Sequence, residues 1–172
     1  CMDPDINLDK KVYHSEMSHI SRNRAIAYLL ESKGYIEKNK DVENSLHFYV
    51  KMCSLSVTAE SLAGLGLILA NDGIHPDTGK RLLSSQAVKI VKTLMFTCGM
   101  YDGSGEFAVR VGIPSKSGVG GGILSVVDGE MGIGIFGPAL DKKGNSVAGE
   151  CVLEYMSHEL HLHMFDPQRH TL

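Results

Sequence analysis

Ile113-Pro114-Ser115-Lys116-Ser117-Gly118-Val119-Gly120-Gly121-Gly122-Ile123-Leu124-Ser125-Val126-Val127 is the segment from which the architecture of this chain follows. A Lys-Ser-Gly triplet leads into a glycine cluster and then into an apolar, β-prone run. The segment reads as a strand whose entry passes very close to another group. Glycine lacks a Cβ, so backbone N–H groups there can approach a ligand with no side chain in the way. Lys116 adds a cation and Ser117 a hydroxyl beside those donors, a combination suited to binding a carboxylate or stabilising a developing oxyanion. A glycine-softened strand crossed by another backbone, with Lys116 merely solvated, accounts for the triplet equally well.

Downstream, an Asp128-Gly129 turn and a second apolar run, Met131 to Phe136, complete a β-hairpin. Two strands alone make no stable sheet, so this hairpin is expected to belong to a larger sheet or to be covered by helices. Upstream the pattern is helical. Ser15 is a good N-cap with Glu16 in the first turn, and the helix is expected to run to about Lys33, with Gly34 as its stop. Lys38 to Asp41 reads as a polar loop. A second helix covers Val42 to Cys53. A third, Ala59 to Asn71, capped by Ser56 or Thr58, is apolar nearly all round and so buried on most sides. A fourth starts at Ser84 or Ser85 and ends near Thr97. Residues 1 to 14 form an extended or irregular lead-in, Glu106 to Val111 a short helix or strand, and Asn145 to Met164 the last helix, with the tail after Asp166-Pro167 frayed. The class is α/β in its α+β form, mostly helical around an antiparallel hairpin.

A chain of 172 residues, 43% of them hydrophobic, is the size of one domain with a real core. A net charge of −3 gives no basic footprint for nucleic acid or for an anionic membrane surface. No apolar run approaches the ~18 residues of a membrane helix, and the polar start Cys1-Met2-Asp3-Pro4-Asp5 shows no signal peptide. The four cysteines, Cys1, Cys53, Cys98 and Cys151, are widely spaced without a Cys-x-x-Cys pair. They read as reduced, mostly buried thiols of a cytoplasmic protein.

Tyr101 sits in the glycine-rich loop Cys98-Gly99-Met100-Tyr101-Asp102-Gly103-Ser104-Gly105. A tyrosine so placed can relay a proton or clamp a substrate, or be an ordinary half-buried tyrosine with its hydroxyl satisfied. Glu16 and Asn23 lie two turns apart on one predicted helix face. They can hold the charged end of an amino acid, or be a cap-region carboxylate and a solvated amide. His158 and His161 can share a helix face but no further ligand completes a set, so no metal site is expected. Asp141-Lys142-Lys143 reads as a solvent-facing turn, and Cys53 and Cys98 as structural thiols rather than nucleophiles.

Taken together, several segments resemble one family in the right order: Ser15-Glu16 and Arg22-Asn23-Arg24-Ala25-Ile26-Ala27-Tyr28; Tyr49-Val50-Lys51-Met52-Cys53-Ser54; Leu69-Ala70-Asn71-Asp72-Gly73 with Pro76-Asp77-Thr78-Gly79; Cys98-Gly99-Met100-Tyr101-Asp102; the Lys116-Ser117-Gly118 strand; and Pro138-Ala139-Leu140-Asp141-Lys142-Lys143-Gly144-Asn145-Ser146-Val147. Over nearly the whole chain they resemble the serine-dependent glutaminases, the L-glutamine amidohydrolases. The resemblance implies a β-lactamase/penicillin-binding-protein-like fold and an acyl-enzyme route. In that route a serine of a Ser-x-x-Lys motif attacks the side-chain amide, ammonia leaves and water releases glutamate. It further implies that Glu16 and Asn23 contact the amino-acid end of the substrate, that Tyr49 positions it and that Tyr101 passes a proton. Val119 would give a backbone N–H to the oxyanion hole, with Lys116 and Ser117 lining the site.

L-glutamine and L-glutamate are the implied partners, no cofactor or metal is needed, and a homodimer or homotetramer is expected. No Ser-x-x-Lys occurs in the chain. The expectation is therefore that residues 1–172 are the C-terminal part of a single catalytic domain, an incomplete domain that is inactive alone. The alternatives are a non-catalytic assembly or amino-acid-binding module and a penicillin-recognising serine hydrolase. The segments Arg22-Asn23-Arg24 and Cys98-Gly99-Met100-Tyr101 argue against the second.

Overall fold

In the computed structural model, which describes residues 5–37 and 41–169, the first helix is capped by Asp9 rather than Ser15. Asp9 Oδ1 accepts from the N–H groups of Lys11 and Val12 at 2.8 and 3.0 Å, satisfying two of the donors that a helix start leaves open. The single helix expected as far as Lys33 is in fact two, α1 (Lys10–Ser18) and α2 (Ser21–Ser32). At the break Ser18 Oγ donates to Ser15 O, and the Nδ1 of His19 lies 2.9 Å from the same carbonyl. Side chains that occupy helix carbonyls compete with the backbone ladder. The break leaves Ile20 buried with Ala27, Val42, Leu46 and Val50.

Helix α3 (Val42–Cys53) is capped by Asp41. Arg24 of α2 forks onto Glu43 of α3 at 2.7 and 3.0 Å. That hydrogen bond holds Glu43 below the usual carboxylate range. A short antiparallel ladder, β1 (Asn7–Leu8) with β2 (Leu55–Ser56), joins the two ends of this unit, Asp5–Val57. The lead-in read as irregular thus holds a strand and the first helix start. Residues 1–4, 38–40 and 170–172 lie outside the described residues. With them go the Cys1 thiol, the first residues of the lead-in, most of the expected polar loop and the end of the tail.

A second, larger unit begins at Thr58. Thr58 and Ser61 form a capping box for α4 (Ala59–Ala70), Ser84 caps α5 (Ser85–Cys98), and Ser146, rather than a helical Asn145, caps α7 (Val147–Glu159). Between them α6 (Ser104–Arg110) resolves the helix-or-strand alternative in favour of a helix. The sheet has three antiparallel strands in the order β3 (Ser115–Ser117), β4 (Gly122–Val127), β5 (Met131–Phe136). This corrects the expectation of one strand running from the triplet into the apolar segment. The four residues 118–121 are a turn, and Ser115 pairs with Ser125 across it.

Strand β4 alternates between two cores. Ile123 and Val127 pack with Met100, Phe107 and Leu153, whereas Leu124 and Val126 pack with Leu69, Val88 and Met95. Burial on both faces is why its sequence reads as a continuous apolar run. On the side of α4 the contact is backbone to backbone: a Cβ on Gly134 would lie 1.9 Å from Ala59 O, and one on Gly132 2.2 Å from Ala63 O.

Cys53, Cys98 and Cys151 are free thiols, as expected, but exposed rather than buried. The buried stripes of their helices pass through Leu46 and Val50, Val88 and Met95, and Gly149 and Leu153 instead. No helix among the described residues is long and apolar enough to cross a membrane.

Candidate functional site

Gly99 ends α5, and a Cβ there would lie 1.8 Å from Ser115 O. Strand β3 therefore crosses directly over the end of the helix, and Ser117 N–H donates to Gly99 O at 2.9 Å. This close backbone approach at Gly99 adds to the one expected of the glycine cluster, which Gly121 makes. Within the cluster itself a Cβ on Gly120 would meet open space, while Gly121 has φ +93° and would bring a Cβ within 2.6 Å of Gly137 O. Past Gly99 the chain enters a 3-10 turn, Tyr101–Gly103, in which Tyr101 has φ +51°. A non-glycine residue in this left-handed region costs on the order of 1–3 kcal/mol and persists only where its surroundings hold it.

Crossing at Gly99 brings β3 alongside that turn. Lys116 Nζ lies 4.8 Å from the centroid of the Tyr101 ring, within cation–π range, and also bonds Ser117 O. Ser117 is a correction to the expected layout. Successive strand residues face opposite ways, and its hydroxyl is buried on the side away from Lys116, without a hydrogen-bond partner among the described residues. Val119 stands at the tip of the β3–β4 turn, 67% exposed. Gly118 N–H donates to Gly122 O and Gly121 N–H to Gly118 O, each at 2.9 Å, while the N–H of Val119 donates to no group among the described residues.

A third segment closes on the same place. The carboxylate of Asp141 accepts from Lys143 N–H at 2.9 Å and Asn145 N–H at 2.8 Å. These bonds, that of Asn145 foremost, hold Asp141 below the usual carboxylate range. Lys143 reaches Glu106 on α6 at 2.8 Å. The turn expected to face only solvent is therefore tied at both ends. It presents Gly144, at φ +98°, so that a Cβ there would lie 3.6 Å from both the Tyr101 ring and the Val119 side chain. Tyr101, Lys116, Val119 and Gly144 form one cluster, in which Gly144 had not been singled out from sequence. Nor had Ser104 and Asn145, both buried beneath the Tyr101 turn; the Asp-x-x-x-Asn spacing of 141 and 145 was the available signal.

Glu16, Asn23 and Tyr49 belong to the other unit, Asp5–Val57. The shared face expected for Glu16 and Asn23 is not formed, because α1 and α2 separate them. Asn23 and Tyr49 do come together. They line a cavity of about 340 Å³ between α2 and α3, with Ser45 and apolar Ile26, Leu30 and Leu46 around them. Glu16 is exposed on α1 and is not among the residues lining it. The histidines near the end of the chain face different groups: His158 meets Glu159, whereas His161 meets Asp166.

The glutaminase family model matches residues 1–165. Among curated relatives, the glutaminase of Clostridium tetani is 55% identical over 161 residues, covering 94% of this chain and 52% of that protein. That of Fusobacterium nucleatum is 55% identical over 163 residues, covering 95% and 53%. The chain thus spans about half the length of the curated relatives it matches. Among solved structures it is similar to the Bacillus subtilis glutaminase YbgJ in covalent complex with 5-oxo-L-norleucine, formed by reaction with 6-diazo-5-oxo-L-norleucine. The identity is 42% and the TM-score 0.87, over 93% of this chain and 57% of that one. It is also similar to Mglu in its glutamate form, with 40% identity and a TM-score of 0.87 over 94% of this chain and 36% of that one. These neighbours show the fold to be the β-lactamase-like one of the glutaminases.

Proposed function

The chain belongs to the glutaminase family, and from that premise we propose that it is the C-terminal part of a single catalytic domain that hydrolyses L-glutamine to L-glutamate and ammonia. The observation that carries this reading is the cluster in which residues far apart in sequence, Tyr101, Lys116, Val119 and Gly144, meet at the end of α5. It supplies a phenol from the turn after α5, a cation from β3 and, from the β3–β4 turn, a backbone N–H that donates to no group among the described residues. The covalent ligand of the Bacillus protein is an amino acid with a carbonyl at the position of glutamine's side-chain amide carbon. It forms from a diazo ketone, which loses N2 from the carbon beside that carbonyl as the protein bonds there, and it therefore supports a protein nucleophile at that end of the bound amino acid.

In this mechanism the serine of a Ser-x-x-Lys motif, supplied from outside residues 1–172, adds to the amide carbon. Negative charge gathers on the amide oxygen, where Val119 N–H donates to it. Loss of one such donor costs about 3 kcal/mol of barrier in other enzymes. Tyr101, its ring under the Lys116 ammonium, passes the proton that lets ammonia leave. Water then cleaves the acyl-enzyme to glutamate. At the other end of the substrate Glu16 opposes the α-ammonium, Asn23 offers both a donor and an acceptor, and Tyr49 fixes the pose. Lys116 is the site-lining member of its strand. Ser117 supports it from the buried side.

The protein works as a homodimer or homotetramer in the cytoplasm, a reducing setting that suits its free thiols. Light scattering on the full-length protein tests the assembly. The reading as a whole is tested by ammonia release from glutamine, assayed on this chain and on one extended upstream to include the Ser-x-x-Lys serine. The short chain is expected to be inactive and the long one active. Turnover by the short chain would overturn the assignment of the nucleophile.

A further inference from the structure

The left-handed backbone of Tyr101 is held from both sides by two buried side chains on separate segments. Ser104 Oγ accepts from Met100 N–H at 3.0 Å and donates to Tyr101 O at 2.8 Å. Asn145 Nδ2 donates to Met100 O at 3.1 Å. The carbonyls of Met100 and Tyr101 belong to the two peptide planes that flank Tyr101, and the angle between those planes is set by its φ and ψ. Pinning both fixes the direction in which the phenol leaves the backbone. Asn145 is fully buried, yet its Oδ1 has no hydrogen-bond partner among the described residues. Packing alone would favour an apolar side chain at such a position. The next residue back, Gly144, lies where a Cβ would be 3.6 Å from both the Tyr101 ring and the Val119 side chain, so one loop runs beside both groups proposed to act on the substrate.

We infer that Asn145 and Ser104 are positioning residues for the reaction, holding the strained turn so that the Tyr101 hydroxyl is aimed at the departing ammonia. This rests on the glutaminase reading, in which Tyr101 relays a proton. Neither residue touches substrate. Each acts through the two peptides beside Tyr101.

The test is a pair of double-mutant cycles in the full-length protein containing this chain. Asn145→Ala and Ser104→Ala are each made alone and together with Tyr101→Phe, with kcat and KM for L-glutamine read from ammonia release. Each single variant is expected to lower kcat on the order of tenfold while KM changes by less than about twofold, and neither lowers kcat further once Tyr101→Phe is present. Losses that multiply in full on the Tyr101→Phe background overturn the inference, because they then belong to the fold at large. Unaltered kcat in both single variants overturns it as well. If Asn145→Ala does not fold, the Ser104→Ala cycle decides by the same criterion. Full turnover by Tyr101→Phe alone is a different result: it removes the relay, and with it the purpose of the support.

Discussion

Residue by residue, the proposed roles separate into groups that act on the transition state and groups that hold the substrate. Tyr101→Phe keeps the ring beneath Lys116 and removes only the hydroxyl, so in the full-length protein kcat should fall by about 100-fold or more while KM moves little. Turnover near wild type in steady-state assays would sink the relay. Glu16→Gln removes the counter-charge of the substrate ammonium and should instead raise KM by about tenfold, with kcat largely kept. An unchanged KM rejects that role. Asp141 offers a pH test. Its folded-state pKa lies below the ordinary value, first through the N–H of Asn145. Its charge therefore contributes stability that is fully present above the unfolded value of about 3.9 and is lost as pH falls through the lower folded value. The gap in thermal midpoint between wild type and Asp141→Asn should close as pH drops below about 4, and a gap that persists unchanged at the acid end speaks against the loop bonds. Lys116 stands out in its Lys-Ser-Gly triplet from the residues alone, whereas Tyr101 and Val119 are marked as site residues by the family resemblance and not by any chemistry legible in their local sequence. The Glu16–Asn23 spacing misled because Ser18 and His19 both spend side-chain polar atoms on Ser15 O, a competition that periodicity does not register. Asn145 is not legible because its bond to Met100 O joins segments far apart in sequence, and Ser104 because its two local bonds depend on the left-handed turn at Tyr101, which no residue pattern announces.

Among the elements, glycine decides how closely helix and sheet approach. Gly132 and Gly134 of β5 let α4 lie directly on the strand, and Gly66 returns the contact, since a Cβ there would meet Gly132 Cα at 2.8 Å. At Gly134 the obstruction is the backbone carbonyl of Ala59, which has no rotamer to retreat into. Gly134→Ala should therefore destabilise by about 3 kcal/mol or more. Gly120→Ala, facing open space, should stay within about 0.5 kcal/mol of wild type. Urea unfolding of both variants checks the contrast, and equal midpoints would refute the packing argument. In the sequence the glycines of 118–122 look alike, and the run reads as the entry to one strand. The turn between β3 and β4 was not legible because Ser115–Ser117 is too short to show an alternation of its own. Helices α4 and α5 were legible almost to their ends. Thr58 and Ser84 carry side-chain oxygens at the start of long apolar patterns, and local caps need no distant partner.

For the whole molecule, the fold class and the helical envelope followed from the order of patterns, whereas the division into two units did not, because a boundary at Thr58 carries no linker composition. The two units differ in what holds them. Asp5–Val57 has one small core of Ile20, Ala27, Val42, Leu46 and Val50, and its β1–β2 ladder pairs only Asn7 with Ser56 and Leu8 with Leu55. Several of its large apolar side chains remain exposed, Tyr35 at 81% and Phe48 at 67% among them. The larger unit sandwiches β4 between two cores, so the amides of that strand lie under helices on both faces. A short segment buries a smaller share of its apolar surface and has less to offset its chain entropy. Regions with few buried apolar contacts open locally before the rest of a protein unfolds. Native-state hydrogen exchange should accordingly find the amides of α1, α2 and α3 exchanging with lower opening free energies than those of β4 and α7. Equal protection across both sets would mean that the smaller unit draws its stability from something other than its own core.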